Sequence, residues 1–136
     1  RRRIVISDAL FANPWSIRDL RWEPDSRRFT FLYNQRGHQV LRWLALDGDT
    51  GHVTCIIDEQ SKTFIDYRRT SAGLSDASRM ERFDIADGKE IIWMSERDGW
   101  AHLYTVPAAG GSFKQLTSGK FEVESVAVSN DGPAAR

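Results

Sequence analysis

An internal repeat constrains this chain more than any single motif in it. When Ser95-Glu96-Arg97-Asp98-Gly99-Trp100-Ala101-His102-Leu103-Tyr104 is laid over the residues 62 positions upstream, Gly37 falls on Gly99, Leu41 on Leu103 and Gly48 on Gly110. In the same frame Pro24-Asp25-Ser26 falls on Ala86-Asp87-Gly88. The segment ahead of each copy alternates: Phe29, Phe31 and Tyr33 in the first, Ile91, Trp93 and Ser95 in the second. Alternation with period two marks a strand, and Gly- and Asp-bearing turns between such strands build antiparallel meanders. A further copy starts at Val126-Ala127-Val128-Ser129-Asn130-Asp131-Gly132. Repeats of strand, tight turn and strand predict an all-β chain of partial β-propeller type.

A blade takes roughly 40 to 50 residues, so this length holds about two four-stranded antiparallel blades and the start of a third. The expected division is one blade over 17–67, a second over 80–118 and the start of the next over 123–136, all within a larger propeller. The first blade's strands are expected over Ile17 to Trp22, Arg28 to Asn34, Val40 to Leu46 and Val53 to Ile57. The second's are expected over Arg82–Asp84, Glu90–Ser95, Leu103–Val106 and Phe113–Thr117. Between the two, the small polar run Ser71 to Ser78 reads as a loop, with a short helical turn from Asp76 to Glu81. The offset makes Trp93 and Leu103 core residues of the second blade and Phe31 and Leu41 their counterparts. Trp22, Trp43 and Val128 are expected on faces that meet other blades, where their exposure favours self-association.

Charge narrows the partners. Lys plus Arg and Asp plus Glu both number 19, for a net charge of zero. Nucleic-acid binding draws on a basic excess, and none is present; Arg1-Arg2-Arg3 is too short to be a basic patch. Cys55, the only cysteine, excludes an internal disulfide and reads as a small buried hydrophobe. No apolar run approaches the roughly 20 residues of a membrane span.

The motifs that carry chemistry are weak. Gly73-Leu74-Ser75-Asp76-Ala77 resembles the Gly-x-Ser-x-Gly elbow, yet its last glycine is Ala and no long helix follows, so Ser75 reads as a loop residue. His38 and His102 follow the two equivalent turns and read as strand-end residues bonded to a neighbouring blade; His52 stands apart. None of the three has metal-ligand spacing. Arg28-Phe29-Thr30-Phe31-Leu32-Tyr33 has the aromatic alternation of an RNA-recognition strand but lacks its glycine. An ion pair between Arg97 and Asp98 beside their turn is expected to add only about 0–1 kcal/mol, so the turn itself is the main feature. Trp100 is expected to wedge between blades, the alternative being an exposed contact with a peptide. The residues by themselves thus name no catalytic group, metal or cofactor.

Several longer stretches taken together resemble the N-terminal propeller of the dipeptidyl peptidase IV family of serine peptidases, especially its bacterial members. They are Asn13-Pro14-Trp15-Ser16, Tyr33-Asn34-Gln35-Arg36-Gly37-His38-Gln39, Ser61-Lys62-Thr63-Phe64-Ile65-Asp66-Tyr67, the run Ile92-Trp93-Met94 leading into Ser95 to Tyr104, and Gln115-Leu116-Thr117. The resemblance runs from Phe11 to Asp131, and only the stretch from Arg68 to Met80 departs from it. It implies a non-catalytic propeller that gates and orients peptides above a C-terminal α/β-hydrolase domain, in an enzyme that removes N-terminal dipeptides with Pro or Ala second. It also implies a periplasmic or extracellular setting. The hydrolase triad would lie beyond Arg136, and the family's paired glutamates have no counterpart, because no Glu-Glu occurs here. No catalytic or amine-anchoring residue carries over. The alternative is a binding or scaffold propeller with no enzyme attached.

Overall fold

Stretches rich in aromatic and β-branched residues, punctuated by Gly and Asp turns, form two separate antiparallel meanders. In the computed structural model, which describes residues 3–65, 82–124 and 126, the first meander is β1 (Pro14–Trp22), β2 (Arg28–Gln35), β3 (Val40–Asp47) and β4 (Val53–Gln60). The second is β5 (Phe83–Ile85), β6 (Glu90–Ser95), β7 (His102–Pro107) and β8 (Lys114–Gln115). Strands neighbour one another in chain order within each sheet. No helix occurs among the described residues, and the fold is the expected all-β pair of four-stranded blades. The third repeat's Val128, the 71–78 loop and the Asp76–Glu81 helical turn lie outside the described residues.

Turn chemistry fixes the hairpins. The Asp25 carboxylate accepts hydrogen bonds from the backbone N–H groups of Arg27 and Arg28, closing the β1–β2 turn. Asp47 accepts from the N–H groups of Asp49 and Thr50 and from the Thr50 hydroxyl at the β3–β4 turn. These bonds hold both carboxyls below the usual aspartate range. At the β7–β8 turn, Gly110 sits so close to β4 that an added Cβ would stand 3.1 Å from the Cys55 carbonyl oxygen.

Both faces of the first sheet are covered. Phe31, Tyr33 and Leu44 lie on one face, where Leu10 and Phe11 of the N-terminal segment pack against them. Leu32, Trp43 and Ile57 line the other face and meet Ile91, Trp93 and Val106 of the second sheet. The alternation of Phe29, Phe31 and Tyr33 therefore marks the outer face, and the residues between them build the seam. Trp43, expected to face a missing blade, is instead 3% exposed and lies under the Arg82 guanidinium, 5.5 Å from its ring centroid. Trp22 is exposed as expected.

The repeat differs from its sequence alignment by one residue. Asn34 pairs with Leu41 across the β2–β3 hairpin, and Ser95 pairs with His102 across β6–β7. The hairpin turns close as His38 N–H to Gln35 C=O and Gly99 N–H to Glu96 C=O. Equivalent positions are therefore 61 apart (95 − 34), not 62. Leu103 corresponds to Arg42, not Leu41, and is only partly buried, which corrects its expected core role. Likewise Trp93 corresponds to Leu32, and Phe31 belongs to the opposite face. A slip of one residue exchanges the faces of a strand. Glycines that coincide in sequence stand at different stages of their turns.

Leu41→Ala is expected to cost about 2–5 kcal/mol, as for a buried leucine, and Leu103→Ala distinctly less. Urea unfolding of both variants compares them directly. Equal losses would restore the 62-residue frame.

Candidate functional site

The two sheets meet at a carboxylate. Glu59 lies near the end of β4, where the alternation of Ile57 and Glu59 carries the side chain onto the seam. It is 7% exposed. Its Oε1 accepts from the Trp93 indole N–H at 3.0 Å and from Arg97 Nη2 at 2.5 Å, and its Oε2 accepts from the Ser95 hydroxyl at 3.0 Å. All three donors belong to β6 or the turn after it. Burying a carboxylate is costly unless it is paired and hydrogen-bonded, and here each oxygen has a partner.

Arg97 is held from several sides. Its Nε donates to the Ser95 hydroxyl at 3.0 Å, and its guanidinium lies over Phe113, 3.3 Å from the ring centroid, with Tyr104 beside it. The expected pair between Arg97 and Asp98 does not form. Asp98 accepts from Trp100 N–H, from His102 Nδ1 at 2.7 Å and from Gln115 Nε2 at 2.6 Å. The hydrogen bond from His102 is the main reason its carboxyl is held below the usual aspartate range.

Beside this junction a cleft of about 430 Å³ opens between the segment leaving β4 and the β6–β7 turn. Its walls include Glu59, Lys62, Phe64 and Ile65 on one side and Glu96, Arg97 and Gly99 on the other. The first wall is pinned to the β2–β3 turn, since Ser61 N–H donates to Gln39 C=O and Ile65 N–H to His38 C=O. Gly99 adopts φ +96° with nothing within 4 Å of an added Cβ, so the opposite wall is bare backbone at that one position.

The other residues singled out from sequence do not converge. His38 occupies the β2–β3 turn beside Asn34, with Trp15 and Phe64 against its ring. His102 is buried at the start of β7, bonded to Asp98 of its own sheet and not to a neighbouring blade. His52 stands at the β3–β4 turn. Trp100 is 40% exposed and forms no wedge between the sheets. Cys55 is half-buried and burial pushes its thiol pKa up, in keeping with a packing role. Ser75 lies outside the described residues. Sequence reading passed over Glu59; the signal was an acid at the position that continues the Cys55-Ile57 alternation of β4, beside the outward-facing Asp58.

Two comparisons bear on this architecture. The family described as Dipeptidyl peptidase IV (DPP IV) N-terminal region matches residues 1–133. A crystal structure from Bacteroides ovatus ATCC 8483, of a protein assigned as a dipeptidyl aminopeptidase IV, superposes with a TM-score of 0.54 at 19% identity. The match covers 76% of this chain and 16% of that one, so this chain spans about one sixth of that protein's length. At this identity the likeness concerns the fold.

Glu59→Ala strands three donors at the seam and is expected to cost about 3 kcal/mol, the low end for a broken buried pair because Arg97 keeps some solvent. Chemical denaturation measures it, and a loss under about 1 kcal/mol would contradict the assigned role. A second expectation concerns acid. A carboxyl whose pKa is lowered by folding contributes stability above its unfolded pKa and loses it as pH falls through the folded value. Asp98→Asn is therefore expected to flatten the fall in melting temperature below about pH 4, and an unchanged acid slope would refute this.

Proposed function

Because the chain belongs to the family of dipeptidyl peptidase IV N-terminal regions, we propose that it is the non-catalytic propeller part of a serine peptidase that removes dipeptides from peptide N-termini. In this reading it gates and orients peptides for a C-terminal α/β-hydrolase domain elsewhere in the protein. The family match over 1–133 carries the proposal. The pair of four-stranded antiparallel sheets supports it, as does the cleft at the end where β4 leaves and the β6–β7 hairpin turns. We further propose blade limits of 17–67 and 80–118, with the next blade starting over 123–136.

The division of labour follows from chemistry. Acyl transfer by serine needs a nucleophile, a base bonded to it and donors for the oxyanion. Two of the three described histidines are engaged locally: His38 with Asn34 and two aromatic rings, and His102 with Asp98. A propeller contributes instead by selecting which chain end reaches the hydrolase and in what orientation. Orientation of bound reactants is itself a large part of catalysis.

The purified 136-residue chain is expected to release no chromophore from Gly-Pro or Ala-Pro substrates. Turnover that survives purification and is blocked by a serine-directed reagent would overturn the assignment, and Ser75 would be the first residue to replace.

A further inference from the structure

Two donor groups in the cleft beside Glu59 have no acceptor among the described residues. Arg97 uses Nε on Ser95 and Nη2 on Glu59, which leaves Nη1 without a partner among the described residues. Arg97 keeps 32% of its side chain exposed, and it lines the cleft. Lys62 lines the same cleft, and its ammonium makes no hydrogen bond or ion pair among the described residues. The hydroxyls of Ser61 and Thr63 face each other at 3.3 Å, and Gln60 Nε2 is turned to Asp58. Both oxygens of Glu59 are already bonded by its three donors. A guanidinium edge and an ammonium have no acceptor capacity, so the ligand that completes this site is an acceptor.

Charge decides which acceptor. Among the lining residues Glu59 and Glu96 offset Lys62 and Arg97. A nearly neutral cleft suits a monovalent anion better than a phosphate dianion. The apolar portion comes from Phe64, 46% exposed, and from Ile65 at the base of the same wall. Arg97 is already immobilised by its stack on Phe113 and its bond to Glu59, so little side-chain freedom remains to be lost on binding. The bare Gly99 backbone leaves space for the ligand's main chain.

We propose that this cleft is a carboxylate-binding site for peptides, with the carboxylate on Arg97 Nη1 and Lys62 Nζ and an adjoining apolar side chain on Phe64 and Ile65. The carboxylate comes from a peptide's C-terminus or from an acidic side chain. The site stands on the cleft's own geometry, and only the choice of peptides as its source rests on the peptidase reading. The two fail separately: one in the chromogenic assay, the other in a binding titration that needs no catalysis.

The test is an NMR titration of the full 136-residue chain with N-acetylphenylalanine, N-acetylphenylalaninamide, N-acetylglutamic acid α-amide and inorganic phosphate. Saturable shifts at the Thr63, Arg97 and Gly99 amides are expected with a carboxylate compound and not with the phenylalanine amide. Whichever carboxylate binds more tightly identifies the source. Lys62→Gln, on the rim and away from the seam, is expected to weaken binding about fivefold, as for an exposed charge pair. Arg97→Lys keeps the charge and loses the planar edge, and is expected to weaken it further. Equal response to acid and amide, tighter binding of phosphate, no saturable shifts at the three amides, or indifference to Lys62→Gln would each overturn the proposal.

Discussion

The placement of one sheet on the other depends on the Glu59 carboxylate. It leaves β4 of the first sheet and, among the described residues, is bonded only by groups of the second: an indole N–H, a hydroxyl and a guanidinium. Apolar contact between Leu32, Trp43 and Ile57 and Ile91, Trp93 and Val106 supplies the attraction across the seam. That attraction is non-directional and tolerates sliding. A buried carboxylate does not, because any shift that removes a donor leaves charge without compensation. The apolar residues hold the sheets together, and Glu59 fixes where they meet.

A second ionic group acts elsewhere along the same seam. Arg82, whose side chain is 4% exposed, donates to Glu23 and to Asp84, and Arg21 reaches Asp84 from the first sheet. The Thr30 hydroxyl bonds Glu23 from within β2. The Arg82 guanidinium also covers the Trp43 ring, which joins this network to the apolar seam. Two separated polar junctions resist rotation of one sheet on the other more effectively than one. Rigid elements of this kind are what a binding surface on adjoining turns needs.

The cleft follows from the same arrangement. Its walls are the segment leaving β4 just after Glu59 and the turn leaving β6 just after Ser95. The interaction that joins the sheets therefore also sets the width of the opening. Arg97 belongs to both, since one guanidinium nitrogen completes the junction and the residue also lines the cleft. A chain of this family that handles peptides would thereby couple the integrity of its blade stack to the shape of a binding surface.

Local chemistry was legible in the sequence. The alternation in β2 and β6, the Asp turns at Asp25 and Asp47, and the glycines of the hairpins are properties of residues a few positions apart, and they determined the strands and the all-β class. The family was legible as well, in the run from Ile92 to Tyr104. Register was not. Gly37 and Gly99 coincide at 62 positions while the strand pairs coincide at 61, and which frame the fold obeys is decided by cross-strand hydrogen bonds. Leu103 therefore changed from core to partly exposed. The cross-seam partners of Trp43, Glu59 and Arg97 lie 34 to 39 residues away along the chain, a separation at which sequence carries no distance information. Sequence alone determined what each strand is. Only the tertiary structure decided which face of each strand meets its neighbour, because that choice rests on burial and charge pairing between segments that local propensity does not connect.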